Sequence, residues 1–215
     1  MHLKRNKAPK NWPIPKKGTT YIARPDSRIK DSIPIIILIR DLLKIAENRK
    51  EVKKAIHEKN IILNDKPVID EKQGVYLLDK ITIVPTKKHY QLILSEQGKF
   101  DLEEIKEDKS HEKISKVINK RILKGKKVQL NLWDGKNFLS DIKCDTNDSV
   151  IIDFKGKKIK KCVPLKEKTE VLVFAGKHTG KKGTLISLDK KNKVAEINAK
   201  EGKIDILIKQ IMAVE

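Results

Sequence analysis

Apolar residues in this chain never run together for long, and that limits the fold before any motif is considered. Charged side chains make up 36% of the 215 residues and aromatic ones only 4%. One thick core is therefore disfavoured, and several small modules that share a partner fit better. The longest apolar run, Ile33 to Ile39, is interrupted by Pro34 and ends at Arg40. It falls well short of the roughly 20 residues that cross a bilayer. The opening residues are basic and apolar-poor, unlike a secretory signal, and no lipid motif argues for a membrane surface.

Charge says what such modules would share. Lys and Arg total 49 against 29 Asp and Glu, a net charge of +20. A surplus of this size favours a polyanion, because each neutralised phosphate releases a condensed counterion. The two cysteines, Cys144 and Cys162, form no CxxC pair and the five histidines are scattered, so no zinc-ligand spacing exists. Both thiols read as small buried hydrophobes. GxSxG and HExxH are absent, and most acids sit beside lysines as on a solvated surface. The expectation is a non-enzyme with no cofactor, no metal and no small-molecule substrate.

Residues 1–30 hold nine basic side chains and one acid, Asp26. Pro9, Pro13, Pro15 and Pro25 block regular helix there. The segment is read as an extended arm, ordered on a partner, whose candidate contacts are Lys4, Arg5, Lys7, Lys10, Lys16, Lys17, Arg24 and Arg28, with Trp12 as an exposed stacking ring. Ser32 and Pro34 mark a helix start, and Ile35, Leu38, Ile39, Leu42, Leu43 and Ala46 recur at helical spacing. A second helix starts at Asn48, with Glu51 completing a capping box. Val52, Ala55 and Ile56 face inward, while Arg49, Lys50, Lys53 and Lys54 form a basic face able to follow phosphates. Strands at Ile61–Leu63 and 81–84 complete this unit.

The middle of the chain reads as strands. Val128, Leu130 and Leu132 alternate into the hairpin signal Asp134-Gly135, and Phe138-Leu139 begin the return. Further strands fall at Tyr90–Leu94, 150–152 and 160–165. Ser110 to Leu123 fits helix or strand equally, and Trp133 reads as core. From Glu170, short strands at 171–174, 184–188, 194–198 and 204–208, with turns at Lys191-Asn192 and Glu201-Gly202, describe a small barrel. Its first loop interleaves Gly176, Gly180 and Gly183 with Lys177, His178, Lys181 and Lys182, a pattern that lets backbone approach phosphate. A nucleotide P-loop is excluded, since Lys182 stands where Ser or Thr must follow the Gly-Lys pair and Ala175 where the first Gly belongs.

Taken in order, these residues resemble the archaeal and eukaryotic type of small-subunit ribosomal protein S-four-e over nearly the whole chain. The opening His2-Leu3-Lys4-Arg5, Ala8-Pro9-Lys10 and Trp12 are similar to that family's start. Arg49-Lys50-Glu51-Val52-Lys53-Lys54 and Ile61–Pro67 look like its S-four RNA-binding domain, and Gly176, Lys177, Gly180 and Gly183 like the core of a KOW module. The chain departs from the family at Asp26-Ser27-Arg28-Ile29, where a Gly-Pro-His sequence is frequent. It also ends at Glu215 without a long basic tail, as archaeal relatives do.

The resemblance implies an α+β chain in four parts: a basic arm (1–32), a small S-four-like domain (33–86), a β-rich central domain (87–168) and a C-terminal SH3-like KOW barrel (169–215). It implies a cytoplasmic protein whose partners are ribosomal RNA of the small subunit and neighbouring small-subunit ribosomal proteins, with a role in assembly and translation. An RNA-modifying enzyme anchored by the S-four unit would need a catalytic domain in the middle region, where only Cys144 and surface acids are on offer. A KOW-type transcription factor would have no use for so basic an arm.

Overall fold

The computed structural model describes residues 2–140, 142–189, 191–200 and 202–214. Glu201, half of the second turn expected in the C-terminal barrel, lies outside them. The chain is β-rich with few helices and divides into two units, residues 1–95 with 99–111 and residues 96–98 with 112–215.

In the first unit the proline-rich opening is not an unpaired arm. β1 (Leu3–Lys4) pairs antiparallel with β2 (Tyr21–Ile22), Leu3 opposite Ile22. Since prolines deny this stretch a helix, its polar groups are satisfied from elsewhere. The Arg5 guanidinium donates to the carbonyls of Thr19 at 2.7 Å and Pro15 at 2.9 Å, and Phe100 N–H donates to the Asn11 carbonyl at 2.8 Å. What holds the segment down is Trp12, only 2% exposed, whose indole N–H donates to the Ser32 carbonyl at 3.1 Å.

Ser32–Pro34 is strand β3 and not a helix start; it pairs with β6 (Gly74–Tyr76). Helix α1 (Ile35–Ile37) follows and widens into a π turn over Leu38–Leu42, closed by the Leu43 N–H to Leu38 carbonyl bond of 2.9 Å. Ile35 to Ile39 are all buried, which explains why a one-sided stripe describes this segment poorly. Helix α2 (Arg49–His57) is capped by Asn48, whose side chain accepts from the backbone of Lys50 and Glu51 at 2.9 and 3.1 Å. Glu51 reaches back to the Glu47 N–H, one residue earlier than a capping box requires.

Strands β4 (Ile61–Leu63), β5 (Lys66–Pro67), β7 (Lys80–Ile83), β8 (Lys88–Leu94) and β9 (Phe100–Ile105) make one antiparallel sheet in the order β5-β4-β7-β8-β9. Asn64 and Asp65, both at positive φ, form the two-residue turn between β4 and β5. A domain boundary at 87 is therefore corrected: β8 and β9 hydrogen-bond directly onto β7 and belong to this sheet.

The second unit contains two five-stranded antiparallel sheets. The first has the order β12-β11-β10-β13-β14, from β10 (Glu112–Ile122), β11 (Val128–Leu132), β12 (Asn137–Leu139), β13 (Ser149–Asp153) and β14 (Lys158–Val163). The ambiguous stretch after Ser110 is thus a strand. A register shift between Val117 and Asn119 lets the front half of β10 pair with β13 and the rear half with β11. Its core gathers Val117, Leu130, Leu132, Cys144, Val150 and Ile152. Burial pushes the Cys144 and Cys162 thiols up, which keeps both protonated and inert.

The second sheet, β18-β17-β16-β15-β19, comprises β15 (Glu170–Val173), β16 (Lys182–Asp189), β17 (Val194–Ala199), β18 (Gly202–Leu207) and β19 (Ile211–Ala213). Two lysines of β10 are buried in this unit. Lys113 pairs with Asp134 at 2.9 Å, and burial would raise that carboxyl, yet Lys113 and Lys136 together hold it below its ordinary value. Lys116 donates to the carbonyls of Ile208 and Ile211, the latter at 2.8 Å, and its ammonium is pushed down to about 8 by burial.

Candidate nucleic-acid interface

The cationic side chains singled out in the sequence divide by whether the fold already uses them. In the N-terminal segment Lys4, Lys7, Lys10, Lys16 and Lys17 are exposed. Arg28 is exposed but pairs with Asp31 at 3.5 Å. Arg5 is committed to the loop it closes, with a third bond to the Thr19 hydroxyl at 2.8 Å. Trp12 as an exposed stacking platform is corrected outright, since its ring is core and its N–H is spent.

On α2 the four basic residues are not equivalent. Lys50 and Lys53 are exposed and have no acidic partner among the described residues, and Lys54 lies 3.9 Å from Glu58. Arg49 instead clamps Glu71: its Nε donates to both carboxylate oxygens at 2.8 and 2.9 Å, and Nη2 adds a third bond. Glu71 is 4% exposed, so this pair is a partly buried, bidentate-type contact that raises the Arg49 guanidinium above its ordinary range. Sequence spacing placed Arg49 with the lysines, and nothing local could show that Glu71, 22 positions away, would take it.

The glycine loop joins β15 to β16, and its glycines are explained by the chain's own geometry. Gly176 and Gly180 sit at φ of 95° and 92°, where turns favour glycine. Gly183 lies inside β16, and a side chain there would meet the Asn198 carbonyl oxygen at 2.4 Å. Its role is close strand packing rather than phosphate approach. Thr179 closes the loop through its hydroxyl to the Gly176 carbonyl at 2.6 Å. Lys177 and Lys182 are exposed, while His178 and Lys181 are half-buried.

A feature invisible in the sequence is a cleft of about 800 Å³ in the first unit, between the β1–β2 segment and the helical turn after α1. Arg5, Arg24, Arg40, Arg49 and Lys72 line it, so it unites arm and α2 residues that lie far apart along the chain. Three acids are also present: Glu71 holds Arg49, Asp41 holds Arg40 through two bonds of 2.8 and 2.9 Å, and Asp26 accepts from the Gly74 N–H. Arg24 has no acidic partner among the described residues. Leu3, Ile36 and Ile37 give an apolar floor, and Tyr21, 56% exposed, stands at the edge with the His2 ring 5.4 Å from its own. Neither Tyr21 nor Arg40 carried a sequence signal, because a single tyrosine or arginine between short strands has no period.

Among the described residues no cluster of metal-ligating side chains exists and no helix is long and apolar enough to cross a membrane. A basic, β-rich chain with exposed lysines on several faces, and with the acids of its cleft, Glu71, Asp41 and Asp26, bonded within the fold, has the makeup of a polyanion-binding structural protein. Comparison with known proteins makes this specific. Residues 86–159 match the ribosomal family S4e, and residues 1–27 the RS4NT (NUC023) domain. The chain is 35% identical over 185 residues to the small ribosomal subunit protein eS4 of Methanocella arvoryzae, covering 85% of this chain and 78% of the relative. It is 34% identical over 187 residues to the eS4 protein of Methanothermobacter thermautotrophicus, covering 86% of this chain and 77% of the relative. The fold is that of the crystal structure of 30S ribosomal protein S4e from Thermoplasma acidophilum, with a TM-score of 0.73 over 86% of this chain and 95% of that one at 23% identity. The chain belongs to the S4e family of ribosomal proteins, which are structural proteins and not enzymes.

Proposed function

We propose that this chain is a structural constituent of the small ribosomal subunit that binds ribosomal RNA, supports assembly of the particle and so acts in the cytoplasm. What carries the reading is the split between engaged and unengaged cations: Arg49, Arg40 and Lys113 are held by acids, while Lys50 and Lys53 are exposed with no acidic partner among the described residues. Such a surface recognises backbone and shape, and leaves base sequence largely unread. The first unit serves as the S-four-like RNA-binding part. β15 to β19 serve as the SH3-like KOW part, with Lys177 and Lys182 on the RNA side. Lys4, Lys7 and Lys10 add contacts from the N-terminal segment, and several tethered surfaces on one RNA give avidity that none has alone.

The test is a salt titration of binding to small-subunit ribosomal RNA. Replacing Lys50, Lys53 and Lys54 together by Ala should flatten the log–log salt slope by about 2, taking about 0.7 per lost contact as for single strands. An unchanged slope removes α2 from the interface. Failure of the chain to co-sediment with small subunits overturns the proposal altogether.

A further inference from the structure

We infer that the arginine-lined cleft of the first unit receives one unstacked nucleotide of the bound RNA, its base against the Tyr21 ring and its phosphate against Arg24. The inference rests on the RNA-binding reading above and specifies what one part of that surface takes.

The cleft volume lies within the roughly 300–1,000 Å³ of sites that enclose small ligands, and far beyond what a phosphate alone fills. Its construction is two-layered. Leu3, Ile36 and Ile37 form a floor of buried apolar side chains, and the cationic groups stand around it. A nucleotide has the matching division, with a flat, largely apolar base joined to a charged phosphate. A base still stacked in a duplex cannot enter a concave site, so the ligand must come from a bulge, loop or end, where RNA presents splayed bases to aromatic rings and guanidinium planes.

Two side chains are available for this work. Tyr21 is 56% exposed although its backbone is tied into β2; the His2 ring lies tilted against it with centroids 5.4 Å apart, and the solvent-facing part of the tyrosine is left for a stacking base. Arg24 lines the same cleft without an acidic partner among the described residues. Arg40 and Arg49 are already held by Asp41 and Glu71, so they shape the wall and its positive potential rather than seize the phosphate. An acidic peptide would use the cations but would leave the tyrosine edge and apolar floor without a flat partner.

The test compares the full-length chain's affinity for two hairpin RNAs of equal length, one fully paired and one with a single-nucleotide bulge in its stem. The bulged hairpin should bind about tenfold tighter, as one base–aromatic stack allows. Tyr21→Phe should keep that ratio, whereas Tyr21→Thr, which retains a strand-forming side chain, and Arg24→Ala should each bring it close to one. In a Trp133→Phe background, Trp12 emission reports whether each variant keeps its first unit folded, since that ring is buried there. Equal affinity of the wild type for both hairpins, or a ratio surviving in Tyr21→Thr and Arg24→Ala, overturns the cleft assignment and leaves RNA binding standing. Binding of neither hairpin at low salt overturns both.

Discussion

Arg49 is where sequence and structure make opposite forecasts. Spacing on α2 groups it with Lys50, Lys53 and Lys54 as a phosphate contact, but the fold gives its guanidinium to Glu71. Arg49→Ala leaves a carboxylate that is 4% exposed without its three hydrogen bonds. A charge-assisted bond lost from a buried group costs about 1.5–3 kcal/mol. Because Arg49 is itself 59% exposed, truncation admits water to the carboxylate, which sets the cost near the lower end, at about 2 kcal/mol. With a urea slope of about 2 kcal/mol/M, the midpoint should fall by about 1 M. The assay is urea unfolding followed by Trp12 emission in a Trp133→Phe background, so that the probe reports the first unit. Glu71→Gln added to Arg49→Ala should restore most of the loss, because the stranded charge is gone. In the salt titration Arg49→Ala should leave the slope unaltered where the protein is folded. An unchanged midpoint together with a slope reduced as by a lysine replacement would refute the reasoning and return Arg49 to the RNA surface.

Two further outcomes follow from the fold. Lys116 has its folded-state pKa pushed down to about 8, below its ordinary value, so below pH 8 both states are protonated and the cost of burying the ammonium is fully present. As pH rises from about 8 towards the unfolded value near 10.5 the folded state gives up its proton first, and stability should rise by at most about 3 kcal/mol; unfolding of wild type and Lys116→Met across that range should show this rise in the wild type alone. Deletion of residues 1–30 removes Trp12 and Leu3 from the core, so circular dichroism should record a lower melting temperature for the first unit; an unchanged melting curve would mean that the segment is only a tail.

Local patterns were legible wherever one element's period or one turn's chemistry decided the outcome. Alternating Val128, Leu130 and Leu132 and the turn at Gly135 appear as read, with β11 over Val128–Leu132 and Gly135 at φ 83°. Ile61–Leu63 is strand β4, and the Asn48 cap starts α2. Misreadings came where a distant partner overruled local chemistry. Ser32–Pro34 resembles a helix start but is drawn into a strand by β6, 42 positions beyond Ser32 at Gly74, and the stretch from Ser110 resolves to a strand because β11 and β13 flank it. β19 carried no signal, as three residues are too few to show a period.

The amino-acid sequence by itself pointed to a polyanion partner, through a net charge of +20, and disfavoured one large core, through its short apolar runs. It also carried the likeness to S4e proteins, since motif order and spacing are properties of the chain. Only the tertiary structure decided which cations remain available. A side chain's charge is written in the sequence, but whether an acid 22 positions away neutralises it, as Glu71 does for Arg49, depends on which segments the core brings together. The same holds for Trp12, an exposed ring to the eye that reads composition and a buried anchor once Ser32 accepts its N–H. The cleft is the fullest case, because Tyr21, Arg24 and Arg40 become one site only when β2 and the turn after α1 close against each other.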